Sequence, residues 1–165
     1  MKAIVAVDKN WGIGKNNGML FRLPLDLKFF RKTTLSSAVV MGRKTLMSFP
    51  DGKPLAGRVN IVLSRAETLP FENILHVKTE AELFCELKKH GEIFVIGGGE
   101  VYRLLLPYCE EALVTKVDAD GGAEVFFENL DETTSWRLIG ESEEIIDNGF
   151  ITKRCVYKNN NVKKI

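Results

Sequence analysis

The 165-residue chain is short of cysteine and histidine and has no long apolar run, and each shortage removes a class of function. Cys85, Cys109 and Cys155 are odd in number, widely spaced and form no C-x-x-C. That pattern excludes a disulfide-framed scaffold and predicts reduced, mostly buried thiols in a cytoplasmic protein. His76 and His90 have no ligand partner three or four residues away, so no metal site is expected. The apolar run from Ala3 to Val7 is too short for a signal peptide or a membrane span. Neither sign of charge dominates: 23 Lys and Arg against 22 Asp and Glu give a formal net charge of +1. No bulk field therefore draws the chain to nucleic acid or a membrane, and any anion site has to be local.

What is there is an ordinary globular composition, 45% hydrophobic and 27% charged. The length suits a single domain, residues 1–165, with a substantial core. The polar tail from Asn159 onward is expected to fray. A monomer is expected, because no stretch reads as an exposed apolar interface.

Continuous apolar runs at Ala3–Val7, Ala38–Gly42, Val59–Leu63 and Ile93–Ile96 predict strands covered on both faces, with a weaker strand over Ile74–Val77. Helices are predicted from Pro24, from Glu80 to Lys89, and from Glu100 to Leu106, the last stopped at Pro107. This alternation implies an α/β fold with a mostly parallel central sheet and flanking helices. From Ala112 the pattern changes. Leu113–Val117 is a strand, and Trp136–Ile146 and Phe150–Tyr157 flank the turn signal Asp147-Asn148-Gly149, so an antiparallel C-terminal hairpin should edge a mixed sheet. The glycine-rich stretch Asp8–Arg22 is long for a loop, and its Trp11, Ile13, Met19 and Phe21 argue against disorder. It is expected to be a lid.

That lid runs into Leu23-Pro24-Leu25-Asp26-Leu27-Lys28-Phe29-Phe30-Arg31. On a helical period Leu23, Leu27 and Phe30 form one apolar stripe, with Asp26 on it or at its edge. An acid among core-facing groups is expensive unless something hydrogen-bonds it, although the first turn of a helix favours negative charge in any case. Three strand ends share a second theme. Gly97-Gly98-Gly99 joins a strand to a helix and leaves N–H groups free for a pyrophosphate, but Tyr102 fills the third glycine position of a dinucleotide fingerprint. Gly42-Arg43-Lys44-Thr45 sets two cations and a hydroxyl at a second junction, and Ser64-Arg65 ends a third strand. An arginine there suits a 2′-phosphate, where an acid would hold a ribose 2′-OH. Together the junctions suggest a dinucleotide with an extra phosphate, such as NADPH. Arg58, beside Leu55-Ala56-Gly57, has the chemistry to clamp a carboxylate with two parallel bonds.

The segments Gly12–Met19, Leu23–Leu27, Val40–Thr45, Leu55–Arg65 and Val95–Tyr102, in this order and spacing, resemble bacterial dihydrofolate reductase over nearly the whole chain. The resemblance implies reduction of 7,8-dihydrofolate to tetrahydrofolate by hydride transfer from NADPH, within one-carbon metabolism. It makes Asp26 the acid facing the pterin, supported by Thr115, with Ile4, Val5 and Ile96 lining that pocket. Leu27, Phe30, Phe49 and Leu55 would enclose the aminobenzoyl ring, Arg58 would hold the glutamate α-carboxylate, and Lys53 would help more weakly. The nicotinamide would lie against Ala6, Ile13 and Gly14, with Gly18 and Met19 on the same cofactor side. Arg43, Lys44, Thr45, Ser64 and Arg65 would hold phosphates, with Gly42, Leu63 and Lys78 also on the cofactor surface. Gly97, Gly98, Gly99, Glu100, Val101 and Tyr102 would take the pyrophosphate, with a cis peptide between Gly97 and Gly98. Antifolate inhibitors are implied as competing ligands.

Two departures from the family pattern stand out. Leu20-Phe21 occupy the place of a usual Pro-Trp, and Ala123-Glu124 that of a common Asp-Thr. Competing readings are a related NADPH reductase acting on a phosphoribosylated pyrimidine, and a nucleotide-binding module without catalysis. Neither has a use for Asp26 on the apolar stripe.

Overall fold

The apolar runs become the strands of a nine-stranded sheet in a computed structural model describing residues 1–165. The elements are β1 (Lys2–Val7), β2 (Gly12–Gly14), α1 (Pro24–Thr34), β3 (Ala38–Gly42), α2 (Arg43–Met47), β4 (Val59–Leu63), β5 (Ile74–Val77) and α3 (Glu80–Leu87). They continue with β6 (Ile93–Gly97), α4 (Gly99–Leu105), β7 (Glu111–Val117), β8 (Val125–Phe126), β9 (Trp136–Glu141), β10 (Ile145–Asp147) and β11 (Phe150–Asn159). The sheet order is β10-β11-β7-β1-β6-β3-β4-β5, with β9 also paired to β11. From β7 to β5 every neighbour is parallel, so the carboxyl ends of these strands share one edge. β11 returns antiparallel to β7, β9 and β10.

The central strands read as unbroken apolar runs because both faces are covered. Ala3, Val5, Val7, Val40, Ile61 and Val95 face one core, which α3 and α4 close with Leu83, Leu87, Val101 and Leu105. The alternate residues Ile4, Val39, Met41, Val62, Phe94 and Ile96 face the other, against which Phe29, Phe30, Phe49 and Leu55 pack. At the end of β6 the register slips, so that Met41 pairs with Gly97. Such an irregularity turns the chain out of the ladder, and it lies where the glycine turn begins.

Several expectations need correction. Leu27 does not join a buried stripe. Leu23 is 1% exposed but Leu27 is 46% exposed: α1 meets the core through Phe29, Phe30 and Thr34, while Leu27 faces an open cleft. The Asp8–Arg22 segment contains β2, which pairs antiparallel with β8. Its near end is held by the buried Asp8, whose carboxylate accepts from the N–H groups of Asn10, Gly12 and Gly121 at 2.8, 2.7 and 3.0 Å. The hairpin forms with Asn148 and Gly149 in the left-handed region that its turn requires. Its first arm, though, is broken between β9 and β10, where Ser142 exchanges bonds with the Arg154 backbone. The tail is tied rather than loose. Asn159 is buried and donates from Nδ2 to the Cys109 carbonyl at 3.0 Å, and the N–H groups of Asn160 and Lys163 donate to Ser135 and Pro107. Of the free thiols, Cys109 and Cys155 are buried and Cys85 is exposed on α3. No helix is long and apolar enough to cross a membrane.

Candidate active site

Along the shared carboxyl edge the strands open into one cleft of about 1910 Å³. A single small ligand takes roughly 300–1,000 Å³, so there is room for two side by side. Every residue expected at the site lines this cleft except Lys53, which is exposed and lies outside its wall. Lys53 follows the short 3-10 turn Pro50–Gly52.

At one end stands Asp26, in the first turn of α1. Thr115 Oγ1 on β7 donates to Asp26 Oδ1 at 2.6 Å. Burial raises the Asp26 carboxyl above the usual carboxylate range; the Thr115 hydrogen bond and the Arg154 guanidinium pull it back, and the Asp147 carboxylate adds to the rise. The net direction, which composition and spacing left open, is upward. Ile4, Ile96, Phe30, Phe49 and Leu55 supply apolar walls on this side, and Val5, whose side chain packs in the opposite core, also borders the cleft.

At the rim, Arg58 is half-buried, with Nε on the Ala56 carbonyl at 3.0 Å and Nη1 on Thr34 Oγ1 at 3.2 Å. Burial and the neighbouring Arg31 lower its proton affinity. Two guanidinium groups at one rim oppose each other until an anion arrives, which suits a carboxylate ligand.

The other half of the cleft is built from helix starts. Gly98 caps α4 and Gly42 caps α2, and neither helix has a side-chain cap, so first-turn N–H groups stay open to a ligand. The two starts adjoin: a Cβ placed on Gly98 would stand 3.4 Å from Thr45 Oγ1. Gly97 adopts φ +118°, and a Cβ there would lie 3.0 Å from the Tyr102 ring. The Gly97–Gly98 peptide is cis. Tyr102, in the position that breaks the dinucleotide fingerprint, donates its buried hydroxyl to the Ile4 carbonyl at 2.7 Å and ties the turn to β1. A Cβ on Gly99 would come within 2.7 Å of Val125, so the strand that pairs with the lid packs over the same turn. Arg43, Lys44, Ser64, Arg65 and Lys78 place hydroxyl and cationic groups along the remaining wall, with Lys78 ion-paired to Glu67 at 3.1 Å.

Sequence reasoning missed three residues. Asp147 accepts from the N–H groups of Leu25 and Asp26 at 3.1 and 2.9 Å. Arg154 lies over the Phe29 ring at 4.2 Å and is the cation nearest in effect to Asp26. Phe29 itself was read only as part of a helix. All three owe their place to the C-terminal hairpin folding back onto α1, and no local pattern announces that contact. The departures from the family pattern are absorbed locally. Phe21 packs on Phe150 with ring centroids 4.8 Å apart, and Glu124 Oε1 accepts from the Asn16 N–H at 3.2 Å.

The comparisons agree with this geometry. The family model for dihydrofolate reductase matches residues 1–159. Dihydrofolate reductase of Bacillus subtilis (strain 168) is 32% identical over 163 residues, covering 98% of this chain and 95% of that protein. The bifunctional dihydrofolate reductase-thymidylate synthase 2 of Arabidopsis thaliana is 36% identical over 167 residues, 90% of this chain, and the chain spans 29% of its length. Among solved structures, dihydrofolate reductase from Enterococcus faecalis complexed with NADP(H) and RAB-propyl superposes with a TM-score of 0.84 at 28% identity, covering 96% of this chain and 95% of that one. The chain belongs to the dihydrofolate reductase family.

Proposed function

We propose that this cleft reduces 7,8-dihydrofolate to 5,6,7,8-tetrahydrofolate with NADPH, and that Asp26 is the catalytic residue. The observation that carries the assignment is a half-buried carboxyl, raised in proton affinity, at the apolar end of a cleft large enough for two ligands. The residues fit the cofactor. The uncapped starts of α2 and α4 suit a pyrophosphate, and side chains at Gly97 or Gly99 would collide with Tyr102 or Val125. Arg43, Lys44, Ser64, Arg65 and Lys78 suit the extra phosphate, and Ala6, Ile13 and Gly14 leave a smooth wall for a flat ring.

When bound, NADPH supplies the hydride. Asp26 does the work on the substrate side. Thr115 engages Oδ1, leaving the carboxyl free to meet the paired N–H donors of the pterin edge and to favour the proton that N5 must receive. Arg58 orients the substrate through its glutamate carboxylate, while Phe30, Phe49 and Leu55 wall the aminobenzoyl ring from water. The lid with β2 closes the opening and dries the site. Flat antifolate heterocycles compete for the same carboxyl. We take the working unit to be a monomer, and three free thiols support a cytoplasmic setting.

Loss of NADPH absorbance on adding dihydrofolate tests the reaction. Asp26→Asn is expected to lower turnover by about 10²–10⁴-fold with NADPH binding unchanged. Full activity in that variant would remove Asp26 from the mechanism.

A further inference from the structure

We propose that Asp147, on the C-terminal hairpin, is a positioning residue for Asp26: its carboxylate supplies the missing cap of α1 and holds the catalytic carboxyl in register with Thr115. The inference rests on the reading of Asp26 given above.

Leu23, the residue before α1, has no side chain able to accept a hydrogen bond, and Pro24 offers no N–H. The first free donors are therefore the N–H groups of Leu25 and Asp26. Asp147 takes both, one on each oxygen, at 3.1 and 2.9 Å from a position more than a hundred residues away in the chain. It is 2% exposed, and these two N–H groups satisfy its carboxylate oxygens there. The hairpin tip adds two further grips. Asn148 Nδ2 donates to the Arg22 carbonyl at 3.0 Å, and Phe150 packs on Phe21. Thus the end of the lid and the start of α1 are fixed by one turn, and the residue that carries the carboxyl is itself one of the two bonded.

The same contact sets a charge beside the acid. The groups facing Asp26 are the Thr115 hydroxyl on β7, the Arg154 guanidinium on β11 and the Asp147 carboxylate on β10; α1 itself carries Lys28, Arg31 and Lys32 farther along. Thr115 and Arg154 favour the ionised form of Asp26, whereas Asp147 favours the protonated one. Arg154 and Thr115 are cross-strand partners, so both influences come from one rung of the sheet. Burial remains the largest influence and favours the proton, so without Asp147 the rise in proton affinity is smaller.

The test uses Asp147→Asn and Asp147→Ala in the full chain. Each is assayed for the pH dependence of kcat/KM with dihydrofolate, for NADPH affinity by fluorescence, and for thermal stability. Asp147→Asn removes the charge and keeps one acceptor. It is expected to move the alkaline fall of kcat/KM to lower pH with NADPH affinity unchanged. Asp147→Ala is expected to show the same displacement and also raise the KM for dihydrofolate about tenfold as the start of α1 loosens. An Asp147→Asn enzyme with the parental pH profile, or one that does not fold, would assign the residue to scaffold alone and overturn the inference. Failure of the parent to oxidise NADPH with dihydrofolate would instead overturn the reading of the site.

Discussion

At the scale of single residues, the proposed chemistry depends on how one carboxyl is surrounded. Thr115→Val leaves Oδ1 of Asp26 without its donor, so the carboxyl's proton affinity should climb further. The alkaline limb of the rate profile is expected to move to higher pH, with dihydrofolate binding weakened about tenfold by the lost bond to a charged group. The same shift has a stability consequence. Because burial raises the folded-state pKa of Asp26, the native state holds the proton more tightly than the unfolded chain, and stability falls as pH rises from the ordinary carboxylate range through the raised value. Asp26→Asn, which keeps an acceptor for Thr115, is therefore expected to lose most of its turnover yet to melt higher than the parent at pH 7. Scanning calorimetry at several pH values measures both the sign and its dependence. At the rim, Arg58→Gln should raise the KM for dihydrofolate roughly 10–100-fold while the affinity for NADPH stays put. Asp26 was conspicuous in the sequence as an acid beside an apolar stripe. The direction of its titration was not, because burial by the folded chain sets it, tempered by groups such as Thr115 and Asp147, which lie 89 and 121 residues away.

At the scale of elements, the site is made by strand ends and the turns that leave them. The glycine turn after β6 is a tight one. Gly97 has φ +118°, and any Cβ would press on Tyr102 at 3.0 Å. Gly97→Ala is expected to cost about 1–3 kcal/mol in urea unfolding and to weaken NADPH binding more than dihydrofolate binding. Calorimetric titration with each ligand separates the two. This turn was legible in the sequence, since three glycines between an apolar strand and a helix have few other uses. The lid was legible only in part. Its length and its aromatic residues marked it, but the pairing of β2 with β8 could not be read from two strands of three and two residues. Strands so short carry no periodicity, and they form because Asp8 holds both approaching backbones.

At the scale of the whole molecule, the two cores on opposite faces of the sheet keep the carboxyl edge rigid. Leu105 is fully buried beneath that edge on α4. Leu105→Ala is expected to cost about 2–5 kcal/mol of stability in denaturant titration, with kcat at 25 °C near the parental value so long as the protein stays folded. The hairpin that edges the sheet has a second task at this scale, since it brings Asp147, Asn148 and Phe150 onto the junction between lid and α1.

The sequence by itself determined the alternation of buried strands and helices, the parallel centre with its antiparallel edge, and most of the residues that line the cleft. Those features are local: apolar runs, glycine turns and helix starts form wherever their residues occur. Tertiary structure alone decided which groups meet. It put Leu27 at an open cleft instead of in the core, carried Lys53 off the wall and tied down the tail through Asn159. It also set Asp147 and Arg154 around Asp26. Each of these outcomes depends on distant strands stacking side by side, and the energies that settle them, desolvation and the pairing of charges, exist only once those surfaces have closed.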